Sequence, residues 1–360
     1  MDYKTAAMEM VDYLPHPAFC VKEGIIVKAN PAALNRFFQT GMAISDLLET
    51  GSEEYAAFQQ GTLYLTISHC GQSLGTCVSK ESDFDLFQLE QEGDSAELRA
   101  MALAARELRE PLASVMVTAD RLFPVSGLSE DPAVNEQVAR INKGLYQMLR
   151  VISNMSDAVS YASSGTRMEV RDIKAVMDEI FARATELVEH TGITLSFSNL
   201  PQNLYCLIDA DKLERAVYNM ISNSLKFTPK GGTIHAAMTK KGSKIIFSVQ
   251  DSGSGIPSSL LGTIYSRFQR EPAIEDIRYG IGLGLVLIRS VASVHGGTVL
   301  IDQPTGEGTR ITMTLQIRQA TDTTLRSPVM KIDYAGERDH GLIELSESLP
   351  AGLYKKESIN

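Results

Sequence analysis

Between residues 98 and 159 the apolar residues recur every three and four positions. Leu98, Met101, Ala105, Leu108, Leu112, Val115, Ala119 and Leu122 form one stripe. Val134, Val138, Ile141, Leu145, Met148, Ile152, Met155 and Val159 form a second. Residues at this spacing share a helix face, so two helices are predicted, joined through a Pro/Gly-containing loop as an antiparallel hairpin. A lone hairpin cannot bury both stripes, whereas two copies packed as a four-helix bundle can. At roughly 1.5–3 kcal/mol per large apolar side chain buried, the stripes supply tens of kcal/mol gross, before entropy. Homodimerisation through residues 96–162 is therefore expected. Pro111 inside the first helix should kink it.

The flanking segments have another rhythm. In "AFCVKEGIIVKANPAALNRFF" the pattern reads strand, turn at Lys22-Glu23-Gly24, strand, then a helix with Asn30 as N-cap and Pro31 at its first position. "TLYLTISHC" and "LGTCVSK" read as two further strands. This segment resembles the opening of a PAS sensor domain. His69 reads as structural rather than as a haem ligand. From about residue 168, helices and strands alternate up to "TRITMTLQI", which predicts helices beside an antiparallel or mixed sheet, an α/β sandwich. "TDTTLRSP" reads as a linker, and "GLIELSESLPAGLY" as a short strand or helix packed on the last domain. The fold class is multidomain α+β, with segments 1–92, 93–165, 166–320 and a C-terminal extension, 321–360.

Net charge is −10 with no basic run, which argues against nucleic acid or an anionic membrane surface as partner. No apolar stretch reaches the length of about 18 residues needed to span a bilayer. The start "MDYKTAAMEMVDYLPHP" lacks a basic-then-apolar leader, so a cytoplasmic location is expected. Cys20, Cys70, Cys77 and Cys206 form no Cys-x-x-Cys pair and read as ordinary small hydrophobes.

Three short pieces of the last segment carry chemistry. In "NMISNSLKFTPKGG", Asn219, Asn223 and Lys226 stand at i, i+4 and i+7 on one helix face. A carboxamide oxygen suits Mg2+, and a lysine one turn on can meet phosphate. "DSGSGIP", residues 251–257, follows a predicted strand; its Asp can accept from an exocyclic amine, and its glycines let backbone approach a flat base. "GIGLGL", residues 280–285, opens a helix, whose free N–H groups attract anions.

In this order and spacing the pieces resemble the Bergerat-type (GHKL) ATP-binding domain shared by histidine kinases and gyrase. "IYSRFQR", residues 264–270, and "GEGTR", residues 306–310, add to the likeness. Together with the helical pair, the resemblance covers about residues 96–318 and points to a sensor histidine kinase of two-component systems. It implies that Asn223 holds Mg2+, that Lys226 contacts phosphate, and that Asp251 reads the adenine amine. Gly253 and Gly255 would line the base. Gly280, Gly282 and Gly284 would border the triphosphate, beside a lid at residues 258–279 carrying Arg267, Arg270 and Arg278. Asn219, Arg270, Leu285 and Thr309 complete the expected ATP contacts. Relatives that hydrolyse ATP carry a glutamate base at the place of Asn219; asparagine cannot accept a proton near neutral pH, which favours the kinase branch.

That branch carries His-Glu-Leu-Arg-x-Pro-Leu on its first helix, and residues 106–112 read Arg-Glu-Leu-Arg-Glu-Pro-Leu. With Leu98 as heptad position a, residue 106 falls at b, exposed beside the seam. Glu107, the adjacent acid, is present. Arg106 is a delocalised guanidinium cation with no lone pair to attack a phosphate. The six histidines, His16, His69, His190, His235, His295 and His340, all lie outside the helical pair. Glu110 stands where the family usually has Thr or Asn, and would repel an aspartyl-phosphate. The resemblance therefore implies a Mg-ATP-binding homologue impaired in autophosphorylation, with a response regulator or a partner histidine kinase as partner. Two other readings stand beside it: a pseudokinase scaffold, and a GHKL-type Ser/Thr kinase for which Ser114 or Thr118 would be candidate acceptors.

Overall fold

The computed structural model describes residues 8–81, 83–90, 93–122, 132–163, 167–256, 283–303, 308–318 and 338–355. β1 (Ala18–Lys22) and β2 (Ile25–Ala29) form the expected hairpin, turned by Glu23 and Gly24 at φ 51° and 78°. α1 (Pro31–Leu34) starts where the sequence places it, since Asn30 Oδ1 accepts from Ala33 N at 2.9 Å. The same oxygen accepts from Ala18 N at 3.1 Å, fastening the helix start to β1. α2 (Ser52–Ala57), β3 (Thr62–His69), β4 (Gln72–Lys80) and β5 (Asp85–Leu89) follow. β5 is absent from the sequence reading. Phe19 stacks on both Phe38 and Phe87 at 5.1 Å, filling this core with aromatic rings. His69 lies 4.3 Å from the Phe38 ring, and no cluster of His, Cys, Asp or Glu suited to a metal occurs among the described residues.

One cysteine expectation needs correction. Cys20 and Cys206 are buried, and burial raises both thiols to about 11. Cys70, however, is exposed, because it occupies the tight turn between β3 and β4 at φ 51°.

α3 (Gly93–Leu122) continues through Pro111, and α4 (Pro132–Ser163) packs against it. Ala105, Leu112 and Met116 are buried in one cluster with Leu145, Leu149 and Ile152. Three residues of each stripe stay wet: Leu108, Val115 and Leu122 on α3, and Val134, Ile141 and Met148 on α4, are all at least 40% exposed. Each set recurs every seven residues, which leaves one apolar seam uncovered. No helix among the described residues is long and apolar enough to cross a membrane.

Next come β6 (Glu169–Asp172), α5 (Ile173–Glu189), β7 (Thr194–Ser198), β8 (Tyr205–Ile208), α6 (Ala210–Phe227), β9 (Thr233–Lys241) and β10 (Lys244–Asp251). α7 (Leu283–Val294), β11 (Val299–Asp302), β12 (Arg310–Gln316) and α8 (His340–Glu344) complete the order. β6 pairs with β8 alone, and the other strands form one sheet, β2-β1-β5-β4-β3-β11-β12-β10-β9-β7.

The join at β3–β11, with Tyr64 opposite Val299, makes the sheets of the first and third segments continuous. β3 fits this role because both of its faces are covered. Leu63, Leu65 and Ile67 enter the N-terminal core, whereas Tyr64 enters the core of the other half. Arg289 of α7 reinforces the join, with its guanidinium 4.9 Å from the Tyr64 ring and 3.0 Å from Glu90.

Candidate functional site

α6 is the element on which the site is built. Asp209 caps it by accepting from Lys212 N at 3.2 Å, and Asp209's own N–H donates to His295 Nε2 at 3.1 Å. His295 follows α7, so the start of α6 is tied to the end of α7. Since its Nε2 accepts, Nδ1 is the atom that donates to Val291 O at 2.7 Å; burial, first among the causes, lowers the pKa and keeps this ring neutral. Thr228 ends α6, its hydroxyl donating to Ser224 O at 2.7 Å.

The first and third motif pieces come together. A Cβ placed on Gly284 would lie 3.1 Å from Asn219 Oδ1 and 3.7 Å from Asn223 Oδ1. Two carboxamide oxygens thus face Gly284 in the first turn of α7, where a Cβ would be tight against Asn219 and in ordinary contact with Asn223. Leu285 is partly buried on the same core. Asn219 itself is more enclosed than its sequence position suggests: it is fully buried, Nδ2 donates to Arg215 O at 2.8 Å, and Oδ1 accepts from Arg150 at 3.4 Å. Lys226, one turn on, is ion-paired with Glu347.

The second piece forms a cradle against the end of α6. Asp251 ends β10 and is 6% exposed. Its Oδ1 accepts from Gly253 N at 2.9 Å and Thr309 N at 3.0 Å, and Ser224 also hydrogen-bonds to the side chain. Burial raises the Asp251 pKa, and these donors oppose it without cancelling it. The cradle requires glycine at two positions. A Cβ on Gly253 would press on Phe227 O at 2.5 Å, and one on Gly308, at φ +70°, would overlap the Asp251 carbonyl. Gly255, at φ +72°, lies against Gln303. Gly280, Gly282, Arg270 and the rest of the expected lid lie outside the described residues.

On α3, Arg106, Glu107 and Glu110 are all exposed. Ser114 and Thr118 are exposed too, with the Thr118 hydroxyl donating to Ser114 O at 2.8 Å.

Five charged residues at this site, Arg150, Asp157, Arg215, Glu344 and Glu347, carry no signal in the sequence. Arg150 and Arg215 are 4% exposed, and Glu344 is fully buried. Arg215 donates to Asn154 Oδ1 at 2.7 Å and to Glu344 at 3.1 Å, and it pairs with Asp157. Arg150 meets Glu344 at 3.5 Å and Glu347 at 3.2 Å. Met155 of α4 packs on Leu283 and Val286, so α4 covers the glycine end of α7. The polar positions Arg150 and Asn154 on α4 could have hinted at a buried partner, but nothing in the spacing identifies it.

Residues 208–319 match the family described as histidine kinase-, DNA gyrase B-, and HSP90-like ATPase. The chain is 26% identical over 226 residues to the sensor protein KdpD of Clostridium acetobutylicum, a match taking in 62% of this chain and 25% of that protein. It is 28% identical over 252 residues to hybrid signal transduction histidine kinase D of Dictyostelium discoideum, covering 67% of this chain and 16% of that one. The chain therefore spans a quarter or less of the length of these relatives. The crystal structure of full-length ShkA in complex with AMPPNP shares the fold, with TM-score 0.50 and 20% identity over 62% of this chain and 46% of that one. The chain is thus homologous to two-component sensor histidine kinases and carries an ATPase domain of the GHKL type.

Proposed function

We propose that the chain is a dimeric, cytoplasmic ATP-binding homologue of sensor histidine kinases that cannot phosphorylate its own first helix in the usual way. One observation carries this reading. Asn219, Asn223 and Gly284 converge, and Asp251 is held in a tight cradle, while Arg106, exposed on α3, stands where the resemblance puts the phosphoacceptor. The nucleotide half is furnished and the nucleophile is missing.

The donor set fits a magnesium nucleotide, since the Asn223 carboxamide oxygen faces a glycine in the first turn of α7. Asn223 would hold Mg2+, Lys226 would meet phosphate, and Asp251 would accept from the adenine amine. Bound ATP would supply the phosphoryl group. Residues 1–92 would act as a PAS-like sensor, 93–165 as the dimerisation hairpin and 166–320 as the ATP-binding domain. A response regulator or a partner histidine kinase would receive the output. The continuous sheet through β3 and β11 would couple such a sensor to the nucleotide half.

Incubation with γ-labelled ATP, with and without a histidine-containing partner, tests the reading. Acid-labile label on the partner means phosphorylation in trans, and no label means that the chain signals through conformation alone. Strong acid-labile label on the chain by itself overturns the proposal, and acid-stable label points to Ser/Thr transfer instead. Arg106→His is expected to restore partial autophosphorylation, because Glu107 is already adjacent. The rate should stay about a hundredfold or more below an ordinary kinase, the cost of misplacing reacting atoms by about 1 Å. Acid-labile label at equal ATP occupancy is the measurement.

The uncovered seam makes a second copy the natural cover for α3 and α4. Leu108→Glu with Met148→Glu would place charges in that seam, where burying an unpaired charge costs several kcal/mol. Light scattering on the full chain should show dimer affinity reduced about a hundredfold or more. A wild type that is monomeric at tens of micromolar would refute the dimer.

A further inference from the structure

Residues 338–355 approach the candidate nucleotide site from outside its motifs. Asp339 caps α8, accepting from Leu342 N at 2.8 Å, and ion-pairs with Arg183 of α5 at 2.7 Å. Leu342, Ile343, Leu345, Leu349 and Tyr354 are buried and anchor the segment. α4 grips its backbone along one face. Asn142 donates to Tyr354 O at 3.0 Å, Lys143 to Leu349 O at 2.6 Å, and Gln147 to Ser346 O at 3.3 Å. One turn further along α4, Arg150 reaches Glu347 at 3.2 Å, and Lys226 holds the same carboxylate from α6.

We propose that this C-terminal segment is a self-ligand of the nucleotide site: the Glu347 carboxylate occupies the cationic pocket made by Lys226 and Arg150, and competes there with the phosphates of ATP. The inference rests on the ATP-binding reading and adds its regulation. Lys226 is the cation of the asparagine-bearing face, and it is engaged by an anion of the chain itself. Arg150 bridges the two groups. Its Nη1 is on Glu347, while its Nη2 donates to Ser222 Oγ at 3.1 Å and to Asn219 Oδ1 at 3.4 Å. Arg150 is therefore a second phosphate-binding candidate, delivered by the dimerisation helix rather than by the nucleotide motif.

Glu347 is suited to leave. A third of its side chain (33%) is open to solvent, in contrast to the fully buried Glu344, so releasing it need not unpack the apolar anchors. Burial alone would raise its pKa, but Arg150 and Lys226 hold it below the usual carboxylate range, so it stays anionic at neutral pH. A nucleotide that needs Lys226 free binds only to the fraction of molecules with Glu347 displaced, and its apparent affinity is reduced by that fraction. Because α4 holds both the segment and Arg150, a shift of α4 driven by the sensor would alter that fraction.

The test is calorimetric titration of Mg-ATP into the full chain, wild type and Glu347→Gln, together with hydrogen exchange of residues 340–354. Glu347→Gln should bind about three- to tenfold more tightly, as expected when a latched state is depopulated. Glu347→Asp, which keeps the charge on a shorter arm, should fall between the two. Saturating Mg-ATP should speed exchange around residues 345–350 of the wild type. Equal affinities with unchanged exchange would overturn the competition and leave the ATP site standing. Absence of binding by all three forms would remove the ATP reading itself, and the competition with it.

Discussion

Asp251→Asn is expected to weaken ATP binding roughly tenfold to a hundredfold, the 1–3 kcal/mol lost when a buried hydrogen-bond partner is removed. The substitution separates recognition from folding. Asp251 Oδ1 supports the cradle by accepting from Gly253 N and Thr309 N, and an asparagine oxygen can do the same. The second carboxylate oxygen becomes an NH2 group, which could not accept from an adenine amine bound there as proposed. Melting temperature should therefore change little while affinity falls. Asp251→Ala removes both functions and should lose stability as well. Acidification should act in the same direction as Asp251→Asn. The Asp251 pKa is raised, mainly by burial, so its carboxylate becomes protonated at a higher pH than an ordinary aspartate. Binding that depends on the charged form should fall as pH drops through that raised value. Calorimetry paired with thermal melting is the check, and wild-type affinity in Asp251→Asn would refute the assignment of Asp251 to the base.

Arg215→Ala should produce the largest loss of stability, about 3–5 kcal/mol, the usual consequence of stripping a buried charge of a partner. Arg215 is 4% exposed and connects three elements: α6, on which it lies, α4 through Asn154 and Asp157, and α8 through Glu344. Removing it deprives the fully buried Glu344 of the guanidinium at 3.1 Å, and Arg150, at 3.5 Å, cannot also fill the vacated volume. The loss should appear as faster hydrogen exchange in residues 338–355 and along α6. Arg215→Met combined with Glu344→Leu should recover more than half of it, since replacing a buried pair with apolar groups of similar size is often neutral. If Arg215→Ala leaves exchange protection intact, the cluster contributes nothing to docking the segment.

These residues also show where sequence reasoning stops. The helical pair is legible because a 3.6-residue period is a local pattern, but which stripe residues are buried and which stay wet is not. Asn30 announced α1 by its type and by the proline after it, since a cap acts over three residues. The asparagine, aspartate and glycine pieces stand out because each is a handful of adjacent positions with distinct chemistry. β6, reading Glu-Val-Arg-Asp, was missed because it is mostly exposed and shows no alternation.

Tertiary structure alone decided three things. Ten strands join into one sheet through β3 and β11, a pairing between strands more than 200 residues apart that depends on shape and coverage rather than spacing. Asn219 is enclosed rather than open, because Arg150 arrives from 69 residues away. The C-terminal segment, readable only as a short element of unknown role, docks on α4 through bonds such as Asn142 to Tyr354 O, 212 residues apart. Periods and caps are set by neighbours along the chain, so the sequence determined them by itself. A buried arginine chooses its carboxylate only when folding removes water from both, and that choice is made by the packed structure.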